Sequence, residues 1–122
     1  MDKNILIVED DDSLRNAIET FLTKKLDYEV HVAADVKTAK EMLAKTAFSV
    51  VLSDVKMPGE SGFDLFDHTK KAYPGLQFVF MTGFGSIEQS VNAIKDGAFD
   101  FLTKPFQLTD LYRVIRNATV KY

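Results

Sequence analysis

The chain has 122 residues, 46% of them hydrophobic and 27% charged, with a net charge of -3. That size and balance suit one domain able to bury a core, and the mild acidity argues against a protein that grips nucleic acid through a basic face. Lack of cysteine excludes disulfides, thiolate metal sites and cysteine nucleophiles, and no apolar run approaches the roughly 18 residues of a membrane-spanning helix.

Asp2 and Lys3 lead directly into a short apolar run, without the longer apolar core of a signal peptide. No repeat, linker or low-complexity tract interrupts the sequence. The expectation is a single soluble, cytoplasmic domain over residues 1–122.

The first element is NILIV, Asn4 to Val8, of strand length and apolar at consecutive positions, as when both faces of a strand are covered. It runs into four acids, Glu9, Asp10, Asp11 and Asp12. Like charges repel, so either these side chains fan into water or something positive belongs among them. Asp11 and Asp12 are placed to open a helix, where acids favour the positive end of the dipole. Leu14, Ala17, Ile18, Phe21 and Leu22 form its apolar stripe.

EVHVA, Glu29 to Ala33, is the second strand; Asp35 starts a helix whose stripe is Ala39, Met42 and Leu43. SVVLS, Ser49 to Ser53, is the third and puts Asp54 at its tip, followed by a helix near Phe63, Phe66 and Tyr73. QFVFM, Gln77 to Met81, is the fourth, with Thr82 at its end. Ser86 with Gln89 matches a capping box for a helix with a sparse apolar face of Ile87, Val91 and Ile94, and Gly97 suits the position past its end. FDFL, Phe99 to Leu102, is the fifth and leads to Lys104, which Pro105 keeps extended. Thr109 lies near the start of a last helix striped by Leu108, Leu111, Ile115 and Ala118. His31 and His68 lack a ligand companion and are expected at the surface.

Five strand–helix repeats argue a parallel sheet with helices on both faces, in order 2-1-3-4-5, the flavodoxin-like doubly wound α/β arrangement. Ligands in such sheets bind at the carboxyl ends of the strands, near the switch between strands 1 and 3. That edge would gather Glu9, Asp10, Asp54, Thr82 and Lys104. An oxygen-rich acidic pocket suits Mg²⁺, and a lysine and a hydroxyl beside it suit a phosphoryl group. Asp54, central between its neighbours, is the candidate nucleophile for an aspartyl phosphate, with Glu9 and Asp10 holding the metal.

Together ILIVEDD, LSDVKMPGESG, MTG and FLTKPF resemble the receiver domain of two-component response regulators, in the right order and over essentially the whole chain. The resemblance implies that Asp54 accepts a phosphoryl group from a histidine of a sensor kinase or phosphotransfer protein. It implies that Asp10, Glu9, Asp54 and the backbone carbonyl of Lys56 bind Mg²⁺, that Thr82 and Lys104 contact the phosphate, and that Thr82 and Phe101 act as switch residues. It implies a cis Lys104–Pro105 bond and an output face of the fourth helix, fifth strand and fifth helix. MPGESGFDLF and GAFDFLTKPF look most like receivers of nitrogen-regulation-type transcriptional activators, which implies an output domain or partner protein and a phosphorylation-dependent homodimer. Nucleic-acid or membrane contact by this domain is not expected. Glu9 departs from the commoner Asp. Lys56 and Phe84 stand at variable positions that affect phosphate lifetime, and a bulky Phe84 is expected to hinder the attacking water.

Three other readings compete. A phosphohydrolase of the haloacid dehalogenase type wants a D-x-D nucleophile motif; Asp10 and Asp12 have the spacing, but the Thr or Val that should follow is missing. A degenerate receiver serving only for docking is opposed by the intact set Asp10, Asp54, Thr82 and Lys104. A flavin-binding protein would need a phosphate-cradling loop where this chain has acids. As a receiver, the domain is not an enzyme beyond assisting its own phosphoryl transfer and hydrolysis.

Overall fold

A computed structural model describes residues Lys3–Lys121, apart from the side chain of Phe84. Strands β1 (Asn4–Val8), β2 (Glu29–Ala33), β3 (Val50–Asp54), β4 (Gln77–Thr82) and β5 (Asp100–Thr103) alternate with helices α1 (Asp12–Lys25), α2 (Val36–Lys45), α3 (Gly62–Ala72), α4 (Ile87–Lys95) and α5 (Leu108–Lys121). The strands form one sheet in the order β2-β1-β3-β4-β5, all neighbours parallel. The expected topology is therefore the one observed.

Strand alternation splits the core in two. Leu6, Val8, Val51, Phe78 and Phe80 face one side, against Ala39, Leu43, Leu65, Phe66 and Ala93 from α2, α3 and α4. Ile5, Ile7, Val50, Leu52, Val79 and Met81 face the other, against Ile18, Leu22, Leu111, Val114, Ile115 and Ala118 from α1 and α5. Residues of β1 and β3 need apolar side chains at consecutive positions because both faces are covered. The edge strands β2 and β5 are only partly buried and carry polar residues such as Glu29, His31 and Asp100.

Local chemistry sets the helix ends. Asp11 caps α1 by accepting from the Leu14 N–H at 3.0 Å, and Asp35 caps α2 by accepting from the Thr38 N–H at 2.7 Å. That backbone hydrogen bond, seconded by the Thr38 hydroxyl, holds the Asp35 carboxyl below the usual aspartate value. A capping box exists at α3, where Ser61 and Asp64 exchange side-chain and backbone hydrogen bonds. α4 ends in a paired motif: Gly97, at φ 115°, donates to the Ile94 carbonyl and Ala98 to that of Ala93.

The structure corrects several expectations. Ser86 is no capping-box residue: it closes a 3-10 turn, Phe84–Ser86, is buried, and makes no side-chain cap. Its carbonyl accepts instead from the Ser90 hydroxyl at 3.0 Å. The apolar stripe of α4 does not face the core. Ser90 and Ala93 are buried, while Val91 and Ile94 are 41% and 36% exposed. The space over β4 and β5 admits small side chains there, so the larger aliphatics turn outward. Ala17 and Leu108 also face solvent. β3 and β4 extend one residue further than their apolar runs, which makes Asp54 and Thr82 strand residues. The histidines are half-buried, His31 edge-on to Phe48 and His68 edge-on to Tyr73. Among the described residues no helix is long and apolar enough to cross a membrane.

Candidate metal and phosphoryl site

The sheet reverses direction of winding between β1 and β3, and the loops there diverge to leave a crevice at the carboxyl edge. Glu9 follows β1, continuing its pairing through a 3.0 Å hydrogen bond from its N–H to the Ala33 carbonyl. Asp54 ends β3, the central strand. Carboxylate oxygens of Glu9, Asp10 and Asp54 all lie within 4.8 Å of one another, with Glu9 and Asp54 buried and Asp10 exposed.

Lys104, just beyond β5, reaches into this group. Its ammonium lies 2.8 Å from Glu9 Oε1 and 3.2 Å from Asp54 Oδ2. Glu9 also accepts from the Asp11 N–H at 3.1 Å. Burial pushes the Glu9 carboxyl above its ordinary value, and the nearby Asp54 charge adds to this against the pull of Lys104. Burial alone would lower the Lys104 ammonium. The Glu9 hydrogen bond and the Asp54 charge outweigh it, so Lys104 is held above its ordinary value. The two shifts differ in their leading cause, burial for Glu9 and the neighbouring carboxylates for Lys104. Three carboxylates against one ammonium leave room for a divalent cation, and hard oxygen donors are what Mg²⁺ selects.

Thr82 is fully buried, and its hydroxyl donates to the Gly83 carbonyl at 3.2 Å rather than to Asp54. It adjoins Lys104, whose N–H donates to the Thr82 carbonyl at 2.8 Å. Phe101 is half-buried on β5 beside Phe80 and packs on the core face shared with α2, α3 and α4. Lys56 is exposed, two residues past Asp54, and its ammonium lies 3.9 Å from the place a Cβ on Gly85 would occupy. The Lys104–Pro105 bond is cis. The expectation for the Phe84 side chain falls outside the described residues. Asp12 points to solvent and pairs with Arg15, away from the cluster, so the D-x-D reading has no pocket to serve.

Two residues outside the expected set also shape the site. Arg15 donates to the Glu9 carbonyl at 3.0 Å and to Asp12 at 2.5 Å. Gly62, the first residue of α3, lies hard against the backbone of Asp54: a Cβ there would sit 2.2 Å from the Asp54 carbonyl oxygen and 3.1 Å from Val55 Cα. Because both obstacles are backbone, neither can swing away. Gly62→Ala is expected to lower the unfolding free energy by about 2 kcal/mol, in the range of overpacked cores. It should also slow modification of Asp54, since displacement of about 1 Å can cost 100-fold in rate. Urea melts and phosphorylation time courses check both, and a variant with wild-type values in each would show that the backbone yields freely.

Fold and cluster together define a doubly wound α/β domain equipped for cation and phosphoryl chemistry at its switch point. Residues 5–116 match the family described as the response regulator receiver domain, and the chain belongs to that family. It is 38% identical over 114 residues to the response regulator protein PilR of Pseudomonas aeruginosa, covering 93% of this chain and 25% of that protein. To the DNA-binding transcriptional regulator NtrC of Rhizobium meliloti it is 33% identical over 114 residues, covering 93% and 23%. The solution structure of the beryllofluoride-activated NtrC4 receiver domain dimer superposes with a TM-score of 0.90 at 31% identity, covering 98% of each chain. The chain spans about a quarter of the length of these curated relatives. Receiver domains are phosphoacceptors of two-component signalling, generally non-enzymatic, that bind Mg²⁺ through acidic residues and work with histidine kinases and output domains.

Proposed function

We propose that Asp54 is the phosphoacceptor of this receiver, and that it takes the phosphoryl group from a phosphohistidine of a sensor histidine kinase or phosphotransfer protein. The observation that carries this is the position of Asp54 on the central strand, among the oxygens of Glu9 and Asp10 and 3.2 Å from the Lys104 ammonium. Glu9, Asp10, Asp54 and the backbone carbonyl of Lys56 would hold Mg²⁺. When bound, the ion supplies Lewis-acid stabilisation of charge on the transferring phosphoryl oxygens.

A carboxylate oxygen of Asp54 forms the new bond to phosphorus as the P–N bond to imidazole breaks. The electron pair of that bond stays on the ring, which leaves neutral with one proton taken up, and an acyl phosphate remains. Lys104 already bridges Glu9 and Asp54, so it can follow the added negative charge without entering from solvent. The Thr82 hydroxyl would exchange the Gly83 carbonyl for a phosphoryl oxygen, and half-buried Phe101 would repack into the space it leaves. This is a local charge event biasing a two-state element. The domain assists only its own phosphoryl transfer and hydrolysis.

The signal would leave through α4, β5 and α5. Exposed Val91 and Ile94 on α4 and Leu108 on α5 give that face apolar surface for an output domain, a partner protein or a second copy in a phosphorylation-dependent homodimer. Likeness to PilR and NtrC supports a transcriptional output of the nitrogen-regulation type in the cytoplasm, with residues 1–122 acting as the receiver and making no nucleic-acid contact themselves. Incubation with acetyl phosphate and Mg²⁺ tests the reading. Intact mass should rise by one phosphoryl group, about 80 Da, with peptide mapping placing it on Asp54. A group mapped to any other residue removes Asp54 as acceptor.

A further inference from the structure

The four acids from Glu9 to Asp12 meet different fates. Glu9 accepts from Lys104 and from the Asp11 N–H, Asp11 caps α1, and Asp12 accepts from Arg15. Asp10 makes no side-chain hydrogen bond or ion pair among the described residues, although its oxygen lies with those of Glu9 and Asp54. Something other than a partner of its own must hold it there.

Arg15 supplies that hold. Its Nη2 takes Asp12 at 2.5 Å, while its Nη1 donates at 3.0 Å to the carbonyl of Glu9, the oxygen of the peptide unit joining Glu9 to Asp10. The Arg15 side chain is only 15% exposed, and its own N–H donates to the Asp11 carbonyl at 2.9 Å in the first turn of α1. A rigid planar fork anchored on a helix thus fixes an oxygen at each end of the acidic loop. Fixing the Glu9–Asp10 peptide plane fixes the direction in which the Asp10 side chain leaves the backbone.

We infer that Arg15 is a positioning residue for the cation site: it contacts neither cation nor phosphoryl group, and acts by aiming Asp10. The inference rests on the Mg²⁺ reading above. Its two physical effects have opposite signs. A positive charge near the pocket repels a dication, so removing the charge alone would tighten Mg²⁺ binding. Removing the clamp frees Asp10 and weakens binding, and loss of such supporting contacts weakens metal sites by about 10- to 100-fold.

Calorimetric titration of Mg²⁺ into wild type, Arg15→Met and Arg15→Lys separates them, with metal-free urea melts run in parallel. Arg15→Met should bind about tenfold more weakly while still melting cooperatively without metal. Arg15→Lys should also bind several-fold more weakly, because one ammonium cannot hold both oxygens as the fork does. Equal or tighter binding by Arg15→Met, or full affinity in Arg15→Lys, overturns the inference. Should Arg15→Met fail to fold, Arg15→Lys decides alone. If wild type itself binds no Mg²⁺, the metal reading falls and this inference with it; if wild type binds and Arg15→Met matches it, only this inference falls.

Discussion

Asp54→Asn is expected to abolish phosphoryl uptake while leaving the metal-free fold close to wild-type stability. The amide is nearly isosteric, so the packing at the end of β3 survives. It lacks the anionic oxygen that, in the proposed reaction, bonds to phosphorus, and no other carboxylate of the cluster ends a strand at the centre of the sheet. The electrostatic changes oppose each other. Losing the Asp54 charge removes its attraction to Lys104 at 3.2 Å and also its repulsion from Glu9 and Asp10. The net change in unfolding free energy should stay within about 1 kcal/mol, as for substitutions without cavity or strain. Stabilisation by Mg²⁺ should shrink, because a ligand at 100 times its dissociation constant adds about 2.7 kcal/mol and each tenfold loss of affinity removes about 1.4. Intact mass after acetyl phosphate treatment and urea melts with and without Mg²⁺ measure all three effects. Undiminished phosphoryl uptake in Asp54→Asn would contradict the assignment.

Lys104→Ala should have the largest effect on stability. It strips the ammonium that pairs with Glu9 and Asp54 from a cluster in which the Glu9 side chain is 1% exposed. Breaking a buried pair by removing one partner costs about 3–5 kcal/mol, and the partial exposure of Lys104 reduces the expectation to about 2–3 kcal/mol at neutral pH. The loss depends on pH with a definite sign. A carboxyl whose folded value lies above its unfolded one contributes stability fully present below the unfolded value and lost as pH rises through the folded one. Glu9 is already raised above 4.5, and without Lys104 it rises further. The variant therefore falls behind wild type progressively from acidic to neutral pH, where ionising Glu9 meets no cation. In wild type the raised Lys104 contributes stability that is present below 10.5 and lost as alkaline pH deprotonates it. Mg²⁺ should bind more tightly to Lys104→Ala, because metal and ammonium compete for Glu9 and Asp54. Urea melts at several pH values with parallel Mg²⁺ titrations check this; a stability gap that does not change with pH would mean that Glu9 does not carry the effect.

The strands were legible because the doubly covered sheet demands apolar side chains at consecutive positions, and NILIV, SVVLS and QFVFM have them. The convergence of Glu9, Asp10, Asp54 and Lys104 followed from strand order, since each closes or follows a strand at the same edge. Helix α4 was misread because periodicity shows that a helix has two faces without saying which is inward. There the inward face is set by room for Ser90 and Ala93, not by hydrophobicity. Ser86 and Gln89 had capping-box spacing, but a 3-10 turn turned Ser86 into the interior. The real box, Ser61 with Asp64, uses an aspartate where the usual pattern has glutamate or glutamine. Gly62 carries no sequence signal, because its need is a close approach between segments and not a special backbone angle. Arg15 did leave a trace: four acids in a row required a counter-charge, and an arginine three residues after Asp12 is within reach of it.

The contact from Lys104 to Glu9 joins positions 95 apart in the chain. During synthesis the acidic half of the pocket emerges first, and the ammonium that pairs with Glu9 and Asp54 arrives after β5. A nascent chain shorter than that holds Glu9 and Asp54 without the ammonium that bridges them, so the charge cluster cannot be complete ahead of time. Completion of the charge cluster is in this way tied to completion of the sheet.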